Sequence, residues 1–413
     1  MNLELFIAKR LISGTEHKSS ISAPIIKIAI AAIAIGLVMM LIAIATGVGL
    51  QRKIREKVAA FNGHVQIYNY DNNRSDVSVQ PVSLSQEFYP DFEGVDGVQH
   101  VHAVAVKAGI IRTEKTFEGI LAKGVGKDFY WDPFDEFLVE GKLPEFSGEL
   151  QEEALISRTL ANKLELKVGD TFLSIFLKDG DLSKNPNNRR FTVVGIYDSG
   201  FEELDETYIF IDLRHLQRMN KWAVDEVGHF EVFLKDFDKL EEKTAEIYGA
   251  TVSSLDAQNL KRKYFKIFEW LGLFDFNIAL IIGIMIIVGG INMITALLVL
   301  ILERTPMIGT LKALGAQNWS IRKVFLINAT YLIGLGLFWG NLIGLGLLWL
   351  QQKFQFFEFP NPEEYYVKYI PVHLSLPHIL LLNIGVLLLC LLMLLLPSYA
   401  ISKISPVKAM KFE

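Results

Sequence analysis

The two histidines His100 and His102 are the first side chains whose type and spacing suit chemistry. They lie two residues apart in a run typical of a β-strand, so both rings face one side of the strand, as two metal ligands would. The sequence around them offers no third ligand. We therefore expect ordinary strand histidines and no metal site.

Four acidic residues close to Gly200 resemble the paired carboxylates of general acid–base catalysis: Glu202, Glu203, Asp205 and Glu206. A cluster of this kind beside a glycine is more typical of a solvated turn. We therefore expect a solvated turn without catalytic function.

Two Gly-Lys pairs fail as phosphate-binding loops, because Gly126-Lys127 precedes Asp128 and Gly141-Lys142 precedes Leu143, where such a loop needs Ser or Thr. The net charge of −5 gives no sign of nucleic-acid binding. We expect a non-catalytic chain that holds no cofactor of its own.

Apolar segments dominate the organisation of the chain, in which 51% of the residues are hydrophobic. Four uncharged runs each exceed the ~20 residues that cross a bilayer as helix. The fold class we expect is an α-helical membrane protein with four transmembrane helices and a large α+β domain inserted between helices one and two. The expected segments are an N-terminal amphipathic segment (1–27), transmembrane helix one (28–51), the α+β domain with two stalk helices (52–271), transmembrane helix two (272–302), a loop with a short helix (303–323), transmembrane helix three (324–352), an outer loop (353–376), transmembrane helix four (377–400) and a tail (401–413).

The distribution of Lys and Arg predicts the orientation of these segments. The N-terminal stretch, the loop 303–323 and the tail are rich in basic residues, which are retained in the cytoplasm. The loop 353–376 mixes both charges. Both termini are therefore expected in the cytoplasm and the α+β domain outside, where it folds without disulfides because the only cysteine is Cys390.

The α+β domain is expected to have two lobes and two amphipathic stalks. One stalk carries Ile54, Val58 and Phe61 at helical spacing, and the other carries Leu260 to Leu271. A polar loop, 178–190, should project as a hairpin that a partner can touch. Its candidate contact residues are Lys178, Asp181, Asn185, Pro186, Arg189 and Arg190.

Two features of the transmembrane segments concern packing and cargo. Gly336, Gly340 and Gly344 form overlapping G-x-x-x-G units, which favour close approach of another helix. Candidate residues for a substrate cavity lie on helices one and two; for Asn292 among them, a helix-to-helix hydrogen bond is the alternative role. These candidates are Met39, Met40, Ala43, Met285 and Asn292.

A short amphipathic helix is expected in the cytoplasmic loop, from about Pro306 to Leu314. Pro306 suits a first turn and Gly315 suits a C-terminal cap. Ile308 and Leu311 form an apolar stripe with Leu314. Because so short a helix is unstable alone, it should dock against another surface.

The block ERTPMIGTLKALGA, 303–316, resembles the coupling-helix signature of the type VII ABC transporter permeases. Met307 and Pro306 depart from the usual acidic and basic or polar residues. The segment FIAKRLISG and the tail, with Pro406, Ala409 and Glu413, resemble the opening and ending of the same family. The resemblance implies contact with a separate ATPase, which binds ATP and magnesium, through Glu303, Arg304, Ile308, Gly309, Leu311, Lys312, Leu314 and Gly315.

Within that family, the segments FIAKR, FNGHVQIYN and YYVKYIPVHLS resemble the lipoprotein-releasing permeases. This implies a bacterial inner-membrane subunit that couples ATP hydrolysis to lipoprotein extraction. The implied partners are ATPase subunits, a second permease copy or paralogue, the lipoprotein and a periplasmic chaperone at the loop 178–190. A mechanotransmission efflux permease, or a signalling permease that controls a cell-wall hydrolase, remains an alternative.

Overall fold

The computed structural model describes residues 3–13, 22–72, 75–176 and 186–404. The predicted loop residues Lys178, Asp181 and Asn185 lie outside these ranges, as do the tail residues Pro406, Ala409 and Glu413. The chain divides into a membrane unit, drawn from 1–51, 271–358 and 369–413, and an α+β unit, drawn from 52–270 and 359–368.

The helices are, in chain order, α1 (Leu3–Ser13), α2 (Ser22–Asn62), α3 (Asp132–Asp135), α4 (Arg158–Leu164), α5 (Glu202–Asp205), α6 (Leu213–Asn220), α7 (Leu240–Ala250), α8 (Leu260–Lys263), α9 (Phe265–Glu303), α10 (Thr305–Ala313), α11 (Asn318–Phe354), α12 (Pro362–Tyr365), α13 (Leu376–Ser398) and α14 (Ala400–Lys403). The strands are β1 (Val65–Asn69), β2 (Val82–Ser83), β3 (Val98–Arg112), β4 (Phe117–Val125), β5 (Leu138–Gly141), β6 (Glu153–Ser157), β7 (Thr171–Phe176), β8 (Asn187–Tyr197), β9 (Tyr208–Asp212), β10 (Glu226–Val227), β11 (His229–Leu234) and β12 (Leu255–Asn259).

Four helices in the described part of the chain are long and apolar enough to cross a membrane. They are α2, α9, α11 and the α13–α14 pair, with mean hydropathies of 2.9, 2.6, 1.7 and 3.1. The expected fold class is confirmed, since the α+β unit is inserted after the first of these helices. The amphipathic segment before it forms α1, which packs on α11 and buries Ala8.

The first stalk is continuous with its transmembrane helix, because α2 runs without interruption to Asn62. Gly63 terminates the helix: it adopts a φ of +65° and donates its N–H to the carbonyl of Ala59 at 2.7 Å. A side chain there would also collide with Glu231, whose Cβ lies 2.8 Å from the position of an added Cβ. The second stalk, expected as a helix with its apolar stripe from Leu260 to Leu271, is divided in the structure: α8 ends at Lys263, and α9 starts at Phe265.

The strands of the α+β unit share one long strand, β3. Its first half pairs with β11 and extends through β1 to β12, whereas its last residues pair with β7. The pairings β3–β4–β9–β6–β8–β7 then return to β3 and close a six-stranded ring. The two expected lobes are therefore an open sheet and a closed barrel, and they are joined through β3 and β4.

The end of the α2 stalk lies inside the α+β unit. Ile54, Val58 and Phe61 are buried, and the ring of Phe61 lies 5.2 Å from that of Phe134 and 5.7 Å from that of Phe210. Burying three apolar side chains of this size stabilises the contact by several kcal/mol, at about 1.5–3 kcal/mol each. The stalk is therefore packed into the domain core.

A buried ion pair lies beside this stalk end. The Lys123 ammonium contacts the Glu231 carboxylate at 2.7 Å and donates to the carbonyl of Phe61 at 2.5 Å. His102 accepts from the N–H of Tyr130 at Nδ1, so its Nε2 carries the proton that Glu231 accepts at 2.8 Å. Burial opposes charge on Glu231, but Lys123 and His102 outweigh it and hold the pKa of that carboxyl well below its usual range.

Candidate functional site

The helix α10 lies in the loop where the coupling residues were predicted, one residue earlier than expected at each end. Its end is built by Gly315, which has a φ of +90°. The N–H of Gly315 bonds to the carbonyl of Lys312, and that of Ala316 bonds to the carbonyl of Leu311 at 2.9 Å. This pair of bonds is a Schellman cap, which satisfies carbonyls that the helix leaves open.

The inner side of α10 is attached to the rest of the membrane unit. Ile308 and Gly309 are buried. The Lys312 ammonium donates to the carbonyls of Ile401 and Ile404 at 2.7 and 2.8 Å, and so caps α14. A lysine at the carbonyl end of a helix also complements the helix dipole. Three predicted coupling residues therefore fix α10 to its own chain.

The outer side of α10 is a ridge formed by Pro306, Thr310, Ala313 and Leu314. The first three follow the helical spacing i, i+4 and i+7, and Leu314 is 79% exposed. We call these four residues the ridge. The sequence pattern singled out Leu314 but missed Thr310, because the apolar stripe drew attention to the side of the helix that faces inward.

Two charged residues precede the ridge. Glu303 is exposed, and Arg304 is half-buried. The Nε atom of Arg304 is enclosed and has no hydrogen-bond partner within the described residues. A buried donor without a partner costs about 1–3 kcal/mol, so Arg304 favours a binding partner that supplies an acceptor.

The predicted glycine contact lies between α11 and α2. A Cβ added at Gly336 would lie 2.8 Å from Cβ of Ile33, and one at Gly340 would lie 2.9 Å from the carbonyl oxygen of Ala34. At Gly344 the nearest atom, in Leu41, is also 2.9 Å away. The two backbones can approach this closely because all three positions lack side chains.

Polar side chains also join the membrane helices, and the sequence pattern gave little sign of them. Asn341 on α11 and Asn383 on α13 exchange hydrogen bonds of 2.7 and 3.1 Å. Gln51 on α2 donates to the Asp275 side chain on α9 at 2.9 Å. An asparagine inside an apolar run is the signal that could have identified the first pair.

The predicted cavity residues do not lie on one surface of the chain. Met39 is 45% exposed, whereas its neighbour Met40 is 2% exposed and packs among the helices. Ala43, Met285 and Asn292 are half-buried. Met39 therefore faces outward from α2, and Met40 faces the interior.

The described part of the projecting loop leads into the barrel. Pro186 and Arg190 are exposed, and Arg189 is half-buried at the start of β8. Arg190 pairs in register with Leu173 of β7. The structure thus places Arg189 and Arg190 on a strand, at the base of the predicted hairpin.

The residues that first suggested chemistry have structural partners. His100 contacts the carbonyl oxygen of Asp128 at 2.7 Å, and His102 contacts Glu231. Throughout the described ranges, no group of three or more His, Cys, Asp or Glu residues could hold a metal ion. The expectation of a solvated turn is wrong for Asp205, which is buried and accepts from Ser199 Oγ at 2.7 Å and from the N–H of Gly200 at 3.0 Å.

Comparison with protein families agrees with this architecture. The profile of the MacB-like periplasmic core domain matches residues 28–248, more than half of the chain. The chain belongs to the MacB-like and FtsX-like permease family. The profile of the FtsX-like permease C-terminal region matches residues 279–406, which include α10.

Three relatives match nearly the whole chain. The lipoprotein-releasing system transmembrane protein LolC of Neisseria meningitidis serogroup B is 24% identical over 100% of both chains. LolC of Xylella fastidiosa is 19% identical over 92% of each chain, and LolE of Haemophilus influenzae is 21% identical over 99% of each. The extracellular domain of the ABC-type transporter YknZ from Gram-positive bacteria covers 47% of this chain and 99% of its own length, at 16% identity and a TM-score of 0.31.

These similarities support an ABC permease of the LolC/LolE type. Such a permease is a multi-pass protein of the bacterial inner membrane.

Proposed function

We propose that this permease couples ATP hydrolysis by a separate ATPase to the extraction of lipoproteins from the inner membrane. The observation that carries the proposal is the two-sided arrangement of α10. Its inner side is fixed to the rest of the membrane unit through Ile308 and Lys312, whereas the ridge is exposed. The cargo class follows from the LolC and LolE relatives, which belong to lipoprotein-releasing systems.

Force applied at α10 has a direct path into the transmembrane helices. Lys312 joins α10 to α14, and Arg322 on α11 donates to Ser398 Oγ on α13 at 3.3 Å. The glycine contact then joins α11 to α2. We propose that displacement of α10 by the ATPase tilts this connected set of helices.

The energetics of the cargo explain why ATP is needed. Each buried methylene of an acyl chain contributes about 0.8 kcal/mol to anchoring, so a multi-acylated lipoprotein is held by on the order of tens of kcal/mol. Spontaneous release is negligible at that scale. The proposed permease lowers this barrier by offering the chains a route between helices; exposed Met39 and half-buried Ala43 and Met285 are its candidate lining.

The proposed orientation places both termini and α10 in the cytoplasm and the α+β unit in the periplasm, following the distribution of basic residues. Pro186, Arg189 and Arg190 then face the compartment in which a lipoprotein chaperone would approach. Together with Lys178, Asp181 and Asn185, they remain our candidate contacts for that partner.

Reconstitution tests the proposal. The permease, its pairing partner and its ATPase are placed in liposomes with a fluorescent triacylated lipoprotein, and a soluble chaperone is added outside. We expect ATP to transfer the lipoprotein to the supernatant and an ATPase variant unable to hydrolyse ATP to leave it in the liposomes. ATP turnover with all lipoprotein retained would contradict the proposed cargo and favour an efflux or signalling role.

A further inference from the structure

The chain between α11 and α13 contains a segment that folds with the α+β unit. Residues 359–368, which we call the strap, belong to that unit, although the residues before and after them belong to the membrane unit. The strap is closed on itself by a hydrogen bond from the N–H of Phe359 to the carbonyl of Lys368, at 3.0 Å. The α+β unit is therefore linked covalently to the membrane unit at the strap as well as at the two stalks.

Aromatic side chains hold the strap against the α+β unit. The ring of Tyr366 stacks on the buried ring of Phe201, with centroids 4.1 Å apart and planes inclined by 9°. Trp270, at the end of the second stalk segment, meets the same tyrosine edge-on at 6.2 Å. Val367 is buried beside them. Aromatic pairs of this geometry attract each other beyond what area burial alone provides.

The side chain of Lys57 joins three segments of the α+β unit. From the α2 stalk, its ammonium donates to the carbonyl of Tyr366 at 2.7 Å and to that of Ser199. The Ser199–Gly200 turn is held in turn by the buried carboxylate of Asp205. Stalk, barrel and strap therefore meet at one ammonium group.

Backbone geometry at this junction leaves little freedom. Gly200 has a φ of +67°, and a Cβ there would lie 3.2 Å from the Lys57 ammonium. Tyr366 adopts a φ of +57°, which is uncommon and unfavourable for a residue with a Cβ. Such a conformation persists only where surrounding contacts determine it, as the stacking and the Lys57 bond do here.

We propose that the strap is a third mechanical connection, through which movement of α11 and α13 reaches the barrel, and that Lys57 and Tyr366 are its positioning residues. The inference rests on the proposed function, because only a permease driven by an ATPase has a stroke to transmit. It goes further by assigning part of that stroke to a loop other than the two stalks.

The experiment uses the full chain assembled with its ATPase and pairing partner in lipid nanodiscs. Cys390 is replaced by serine, and spin labels are attached at Val224→Cys, 87% exposed in the α+β unit, and Leu381→Cys, 78% exposed on α13. Their distance is measured by pulsed electron resonance without nucleotide and with a non-hydrolysable ATP analogue. This readout needs no cargo, so it stands even if the lipoprotein assay fails.

We expect a nucleotide-dependent shift of the distance in the starting protein. Tyr366→Ala and Lys57→Met should abolish the shift and broaden the distribution, since each removes a strap contact while Lys57→Met keeps the aliphatic stem. Lys57→Arg, which retains a hydrogen-bond donor, should retain the nucleotide-dependent shift. Glu364→Gln, at an exposed position of the strap, should leave the shift unchanged.

Unchanged amide exchange of β9 in each variant shows that the barrel is still folded. A wild-type shift and width in both Tyr366→Ala and Lys57→Met would overturn the proposal. Loss of the shift in Glu364→Gln as well would also overturn it, because the effect would not depend on the Lys57 junction.

Discussion

The α+β unit and the membrane unit are stabilised in opposite ways. The α+β unit buries charge, with Lys123 and Glu231 each 1% exposed and paired by hydrogen bonds. The membrane unit instead brings backbones together at Gly336, Gly340 and Gly344. In water, apolar burial can offset the cost of enclosing a satisfied ion pair, whereas in lipid there is no hydrophobic drive between helices and close packing has to replace it.

Within the membrane unit, the helices differ in how much surface they leave available. In its most apolar stretch, half of α2 is buried inside the chain, whereas only 22% of the α13–α14 pair is buried. The helix that carries the first stalk is thus the most enclosed of the four spans. Movement of α2 therefore has to involve its neighbours, while α13 keeps most of its surface for lipid or a paired permease.

Removing Glu231 should have the largest effect, on the stability of the α+β unit. Glu231→Ala leaves the Lys123 ammonium buried without its counter-charge, which costs about 3–5 kcal/mol. We expect the urea concentration at which half of the α+β unit is unfolded to fall sharply in the full-length protein. The unfolding is measured through the fluorescence of Trp131 and Trp222. The double change Lys123→Met with Glu231→Leu should recover much of the loss; a double variant as unstable as Glu231→Ala would show that the charge itself is not the cause.

The buried carboxyl of Asp205 should make the same unit sensitive to pH. Burial raises its pKa from 3.8 to about 6, so the folded state binds the proton more tightly than the unfolded chain does. The stability it contributes is present below about pH 4 and is lost as the pH rises through 6, a change of up to about 3 kcal/mol. Measured against Asp205→Asn, the native protein should gain urea resistance between pH 7 and pH 4; parallel curves for the two proteins would contradict the burial argument.

In the membrane unit the expected effect is smaller. Gly340→Leu would force a side chain into the 2.9 Å gap beside Ala34 and Leu37, and overpacking of this kind costs about 1–3 kcal/mol. We expect a lower melting temperature in detergent, with little change in the α+β unit. Gly346→Leu is the matched control, because an added Cβ there meets nothing within 4 Å. Equal destabilisation by both variants would argue against the glycine contact.

Much of this architecture could be predicted from length and hydropathy. The transmembrane helices and α10 follow from long apolar runs and from the Pro306 and Gly315 signals. Strand β4 could not be recognised, because Gly119, Lys123 and Gly124 interrupt its apolar pattern. Gly124 lies so close to the backbone of Leu213 that a side chain would not fit there. Lys123 is buried because it forms an ion pair with Glu231, and that pair exists only in the folded chain.

The candidate site shows the same limit. The pattern located α10 but could not tell its inner side from its outer side, since that depends on where α14 presents its carbonyls to Lys312. The burial of Asp205 and the docking of Tyr366 likewise depend on contacts between segments far apart in sequence. Local pattern therefore identified the elements, and tertiary contacts decided the role of each side chain.

We propose that the ridge of α10 receives the ATPase. The most direct test is the affinity of the purified ATPase for the permease in nanodiscs, measured for Leu314→Asp and for Val224→Asp, a charge-matched change at an exposed site of the α+β unit. We expect Leu314→Asp to weaken binding at least about tenfold, as loss of a central contact does, and Val224→Asp to leave it unchanged. Equal affinity of the two variants for the ATPase would show that the ridge is not its binding surface.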